Sequence, residues 1–129
     1  MHPHLILYVR DQVASTAFYR HVLAQDPRLD VPGMTEFQLG EGAVLGLMPE
    51  AGIVRLLGGS VAQGGFRAEL YLVVPDPGAF HRRALEAGAT ELSPLTTRSW
   101  GPAVAYSLDP DGNVLAFAAQ PGAQTDVSD

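Results

Sequence analysis

The sequence predicts an α+β fold in which one strand-helix-three-strand unit occurs twice, and three observations carry that prediction. The stretch Asp109-Pro110-Asp111-Gly112-Asn113 lies between two apolar, β-prone runs. Proline and glycine there supply the fixed and positive φ angles of a tight turn, and the Asp and Asn side chains can bond to nearby backbone, so the segment reads as a β-hairpin. Each half of the chain also opens with a β-prone run that ends at a helix N-cap, first at Asp11 and again at Asp76. The third observation is that the halves repeat. Sliding the chain by 65 positions lays residues 4–11 on 69–76, with Leu5 on Leu70, Leu7 on Leu72, Val9 on Val74 and Asp11 on Asp76. Sliding by 70 lays Glu41-Gly42 on Asp111-Gly112, and Val44-Leu45-Gly46-Leu47 on Val114-Leu115-Ala116-Phe117. Two matches in the same order, each on the corresponding element, make duplication a better account than chance.

The elements follow in order. Residues 4–9, His-Leu-Ile-Leu-Tyr-Val, form a short β-prone run. Asp11 then caps a helix over about 12–24, in which Ala14, Phe18 and Val22 recur at a spacing of four. Pro27 and Pro32 punctuate the next segment, and 35–39 and 43–48 read as strands around Gly40-Glu41-Gly42. Residues 49–65 hold five glycines and read as a connector, in which 53–57 is either one helical turn or a short strand. Residues 68–74 are again a strand, and Asp76-Pro77 is an N-cap followed by proline at the first helical position. Phe80, Ala84, Leu85 and Ala87 make the apolar stripe of this helix, with Gly88 at its C-terminal end. A strand over 90–95 and the hairpin complete the second unit, and from Pro121 the tail is small and polar. The expected organisation is one domain over 1–129, with modules at about 3–48 and 66–119, a connector at 49–65 and a tail at 120–129.

Composition narrows the function classes. The apolar fraction of 47% allows a sizeable core, and no run approaches the ~18 apolar residues of a membrane span. The first residues lack the basic region of a signal peptide, so a cytoplasmic protein without membrane contact is expected. Without cysteine there is no disulfide, thiolate metal site or cysteine nucleophile. A net charge of −6 argues against nucleic acid as a partner. All eight basic residues are arginine, which excludes a Schiff-base lysine.

The strand into Val9-Arg10-Asp11, the helix residues Ala17-Phe18-Tyr19-Arg20-His21-Val22-Leu23, the helix end Ala84-Leu85-Glu86-Ala87-Gly88-Ala89, Trp100-Gly101 and the Asp-Pro-Asp-Gly-Asn turn together resemble one family. It is the vicinal oxygen chelate superfamily, which includes glyoxalase I, bleomycin-resistance proteins, fosfomycin-modifying enzymes and extradiol dioxygenases. The likeness covers about residues 3–119. It implies a glyoxalase-like pair of βαβββ modules forming a curved mixed sheet around a shared cavity, in a homodimer. In the family's enzymes a divalent metal sits there, held from the first and last strands of the modules, and acts as a Lewis acid or activates oxygen.

Carried over residue by residue, the resemblance places His4 and Glu69 at the first-strand metal positions. The last-strand positions, where the family's metal enzymes carry a carboxylate, hold Gly46 and Ala116. Neither has a donor, so two ligands of four remain, whereas a catalytic zinc keeps about three. A divalent metal is possible only through His4 and Glu69, and no cofactor is the expectation. His2 shares the face of His4 but lies at the terminus, Glu41 and Asp111 belong to turns expected to face water, and His21 and His81 read as surface or boundary residues of the helices. His4 and Glu69 are instead candidates for an acid–base pair, in which the carboxylate orients the imidazole. Strand alternation puts Ile6 and Tyr8 beside His4, Arg67, Tyr71 and Val73 beside Glu69, and Met48 with Gly46. Replacing both carboxylates by Gly and Ala leaves a more apolar wall, suited to a planar or partly apolar small molecule. Trp100 either stacks on that molecule or covers a sheet edge, and Arg98 either meets its carboxylate or phosphate or pairs with a surface acid. Two functions are therefore expected to compete. One is sequestration of a small molecule without reaction, and the other is an isomerase, lyase or dioxygenase reaction through His4 and Glu69.

Overall fold

A computed structural model describes residues 1–121, apart from the side chain of Arg98, and the chain divides into two compact units after Gln63. Most of the expected tail, 122–129, lies outside the described residues. The first unit runs β1 (His4–Val9), α1 (Gln12–Leu23), β2 (Leu29–Val31), β3 (Met34–Leu39), β4 (Ala43–Pro49) and α2 (Glu50–Leu57). Its sheet has the order β1-β4-β3-β2, with β1 parallel to β4 and the other pairs antiparallel. The second runs β5 (Glu69–Val73), α3 (Pro77–Glu86), β6 (Thr90–Arg98), β7 (Gly101–Leu108) and β8 (Val114–Ala118), in the matching order β5-β8-β7-β6.

The duplication holds at the level of hydrogen-bond register. His4 pairs with Val44 and Ile6 with Gly46, while Glu69 pairs with Val114 and Tyr71 with Ala116. These are the same partners displaced by the two offsets read in the sequence. The extra five residues of the second unit fall between its first and last strands, where β6 and β7 are long and β6 is irregular, with register shifts along its length.

Each helix forms for a local reason and buries one face. The Asp11 backbone is extended, and its Oδ1 accepts from the Ala14 N–H at 3.0 Å, which satisfies one of the orphan donors of α1. Phe18, Tyr19, Val22 and Leu23 are buried on the side facing the sheet, and the Thr16 and Thr35 hydroxyls meet at 2.8 Å. Thr35, Leu45, Leu47, Leu7 and Val9 therefore lie on the helix side of the first sheet. In α3 the Asp76 Oδ1 accepts from the Ala79 N–H at 3.1 Å, with Pro77 at the first helical position. Phe80 packs on Phe117 at 5.6 Å, so Phe117, Leu115 and their partners Leu72 and Leu70 face that helix.

Three expectations need correction. Residues 29–31 form an edge strand that the flanking prolines hide, because three residues are too few for alternation to show. The ambiguous turn in the connector is a two-turn helix, α2, with Ile53 buried and Leu56 and Leu57 exposed. Helix α1 ends at Leu23, and Ala24 takes the left-handed conformation at φ 53° that terminates it.

Candidate functional site

On both sheets the candidate residues of the first and last strands lie on the face away from the helix. In the first unit Ile6 is flanked along β1 by His4 and Tyr8, and across β4 lie Val44, Gly46 and Met48. Glu36 and Gln38 continue the rows on β3, opposite Gly46 and Val44, and Leu29 lies beyond Glu36 on β2. Tyr8 and Met48 are direct cross-strand partners, so two of the expected ligand-contacting residues do come together.

His4 has a carboxylate neighbour that the sequence reading did not find. Its Nδ1 lies 3.7 Å from Oε2 of Glu36, whose side chain is only 15% exposed. Glu36 is fixed from the other side. Nε and Nη2 of Arg28 both approach its Oε1 at 2.9 Å, Nη1 of Arg28 donates to Gln38 Oε1 at 3.1 Å, and the Arg28 backbone N–H donates to the Glu36 carbonyl at 2.8 Å. Gln38 is tied in turn to the carbonyls of Gly40 and Ala43. Alternation could have placed Glu36 on this face, but only the pairing of β3 with β4 brings it beside the row of His4.

The second unit offers a different surface at the matching rows. Glu69 and Tyr71 are exposed on β5, and Ala116 sits between Tyr71 and Tyr106 on neighbouring strands. Val104, Ala116 and Ala118 form a fully buried apolar cluster against which Tyr106 packs. Trp100, at the turn between β6 and β7, is 63% exposed. The Arg98 side chain lies outside the described residues.

Two turn and helix residues are not where the sequence placed them. Asp111 is buried rather than facing water, with its N–H donating to Asp109 Oδ1 at 2.9 Å. His81 is buried as well, with Nε2 2.8 Å from Glu91 Oε2 on the helix side of the second sheet. Sequence alone cannot separate such a histidine from a surface one at the same helical phase.

The residues do not fit a divalent metal in the geometry that the resemblance implies. Ala116 is fully buried without a donor. At Gly46 a Cβ would meet Ile6 Cδ1 at 2.5 Å and Met34 Sδ at 3.4 Å, so the volume a ligating side chain would need holds the Ile6 methyl. Among the described residues, no three His, Cys, Asp or Glu side chains come together to hold a metal ion. No helix among them is long and apolar enough to cross a membrane.

Comparison with known proteins agrees with this architecture. The chain belongs to the Glyoxalase/Bleomycin resistance protein/Dioxygenase superfamily, whose family model matches residues 2–117. It is similar in fold to a glyoxalase-related enzyme from Fulvimarina pelagi, at 23% identity and a TM-score of 0.79 over 93% of this chain and 88% of that one. A glyoxalase/bleomycin resistance protein/dioxygenase from Nocardioides matches at 22% identity and a TM-score of 0.76, over 99% and 88% of the two chains. A protein of Agrobacterium tumefaciens solved in solution matches at 29% identity and a TM-score of 0.73, over 95% and 99%. No curated protein matches.

Proposed function

We propose that this protein binds a small, partly apolar molecule on the helix-free faces of its sheets and holds it without a catalytic metal. The observation that carries this reading is the pair of small residues at the centre of those faces. Gly46 lies between Ile6 and Glu36, and Ala116 between Tyr71 and Tyr106. Around these buried positions the rows carry the exposed rings of Tyr8 and Tyr71 and a few polar groups, and apolar lining with a few polar groups is the usual composition of a small-molecule site. Tyr8, Tyr71 and Met48 supply contact area, with Trp100 and Arg98 as further contacts. A homodimer in the cytoplasm is part of the proposal. Titration of the labelled protein with a library of small heteroaromatic compounds tests it. Amide shifts confined to β1, β4, β5, β8 and residues 98–100 are expected, and a stoichiometric metal bound through His4 and Glu69 would overturn it.

A second reading is an isomerase, lyase or dioxygenase of the same superfamily in which His4 moves a proton, with Glu69 as its expected partner. It is favoured by one feature, a carboxylate at ion-pair distance from His4, and that carboxylate is Glu36, not Glu69. Turnover lost in both His4→Ala and Glu69→Gln supports that reading, whereas unchanged turnover in both removes it.

A further inference from the structure

We propose that Glu36 is a positioning residue for His4, and that the pair selects neutral ligands carrying an N–H or O–H donor on a planar apolar body. The proposal rests on the small-molecule reading above and adds to it the polar recognition element. Arg28 engages Oε1 of Glu36 through two nitrogens, which leaves Oε2 turned to the imidazole. The ring nitrogen at ion-pair distance from it is Nδ1. A carboxylate accepts only, so a ring proton on Nδ1 faces Oε2 and leaves the Nε2 lone pair open to a ligand. The 3.7 Å separation is longer than a hydrogen bond, and contacts of this kind commonly tighten when a ligand arrives.

The arrangement sets the ligand class. With Oε1 of Glu36 held by Arg28 and Oε2 facing Nδ1, the group left for recognition is the acceptor Nε2. Ile6 and Val44 are the neighbours of His4 on this face, with Tyr8 and Met48 further along the same strands, and these suit an apolar body. An anionic ligand would meet a lone pair and a chain of net charge −6, which disfavours it. A planar donor satisfies the nitrogen and covers the apolar rows at the same time.

The test has two independent arms. Imidazole nitrogen shifts, recorded at about pH 8.5 where an ordinary histidine is neutral, report which ring nitrogen of His4 carries the proton. The wild type is expected in the Nδ1–H form and Glu36→Leu in the Nε2–H form that an unpartnered histidine favours. A wild type in the Nε2–H form overturns the positioning role, and this spectrum decides the matter even if the variant fails to fold. In the second arm, fluorine spectra compare 5-fluoroindole with its N-methyl analogue. The donor compound should bind about tenfold more tightly to the wild type, the worth of one hydrogen bond, and the preference should fall to within about twofold in His4→Ala. Equal binding of the two compounds to the wild type overturns the ligand class. Binding of neither, with His4 in the Nδ1–H form, overturns the small-molecule reading beneath it and leaves the dyad intact.

Discussion

Gly46 shows how one missing side chain is used by its neighbour. The space beyond its Cα holds Ile6 Cδ1, 2.5 Å from where a Cβ would stand. Gly46→Ala therefore forces Ile6 off its rotamer, and overpacking of this kind costs about 1–3 kcal/mol. The lower end is expected because the displaced atom is a side-chain terminus. Ile6→Val removes that atom, so a denaturation cycle should show Gly46→Ala nearly neutral in the Val background. Additive losses would show that the backbone, not Ile6, resists the methyl. Buried polar groups in the second unit divide in the same residue-by-residue way. Asp109 Oδ1 accepts from the N–H groups of Asp111 and Asn113, at 2.9 and 2.8 Å, and its Oδ2 accepts from Asn113 Nδ2 at 2.9 Å. Asp109→Ala leaves buried donors unpaired and should cost at least about 2 kcal/mol. Ser107 Oγ is buried without a hydrogen-bond partner among the described residues, so Ser107→Ala should be neutral or stabilising by up to about 1 kcal/mol. Urea unfolding midpoints of the two variants decide between these opposite signs.

At the scale of elements, the helices owe their starting points to two aspartates at corresponding places in the repeat. Asp11 and Asp76 each accept, at a carboxylate oxygen, from the N–H three residues on. Replacing either by Ala should lower stability by about 1 kcal/mol. The losses should add in the double variant, because the caps lie in different units and share no partner. Melting curves giving a combined loss well below the sum would mean that the two starts are coupled. Both caps were legible in the sequence, since an N-cap is a local signal that needs only its own helix. So were β1, β4, β5, β8 and the turn at 109–113, because alternation and turn chemistry are also local. Three features were not. The short strand β2 has too few residues to show a period, and α2 carries a glycine and no side-chain cap, which weakens its helical signal. The Glu36–His4 contact joins residues 32 apart in sequence through the β1-β4-β3 order. A sequence pattern gives the face of Glu36, but only strand pairing gives its neighbour.

The whole molecule is a duplication whose two copies keep one register and have diverged in chemistry. Glu36 pairs with Gly46, and at the corresponding place Tyr106 pairs with Ala116. Gln38 opposite Val44 is matched by Leu108 opposite Val114. At these β3 and β7 positions one face carries polar Glu36 and Gln38, while its counterpart carries Tyr106 and Leu108 and keeps a carboxylate only on the first strand, at Glu69. The positions that the resemblance assigns to a metal are deficient in the same way in both copies, with a donor on each first strand, His4 and Glu69, and none at Gly46 or Ala116. The consequence is measurable without knowing any ligand. A site binding a divalent ion with a dissociation constant near 1 μM would add about 2.7 kcal/mol of stability at 100 μM ion. In a chain of 129 residues that is a rise in melting temperature of several degrees. Zinc, nickel, manganese and ferrous iron, added singly at that level to chelator-treated protein, should each leave the melting temperature unchanged within about one degree. A larger rise that His4→Ala abolishes would mean that His4 recruits ligands from beyond the rows described, and the metal-free reading would fall. A rise that persists in His4→Ala would point to the terminal His2 or to surface carboxylates and leave the helix-free faces as small-molecule sites.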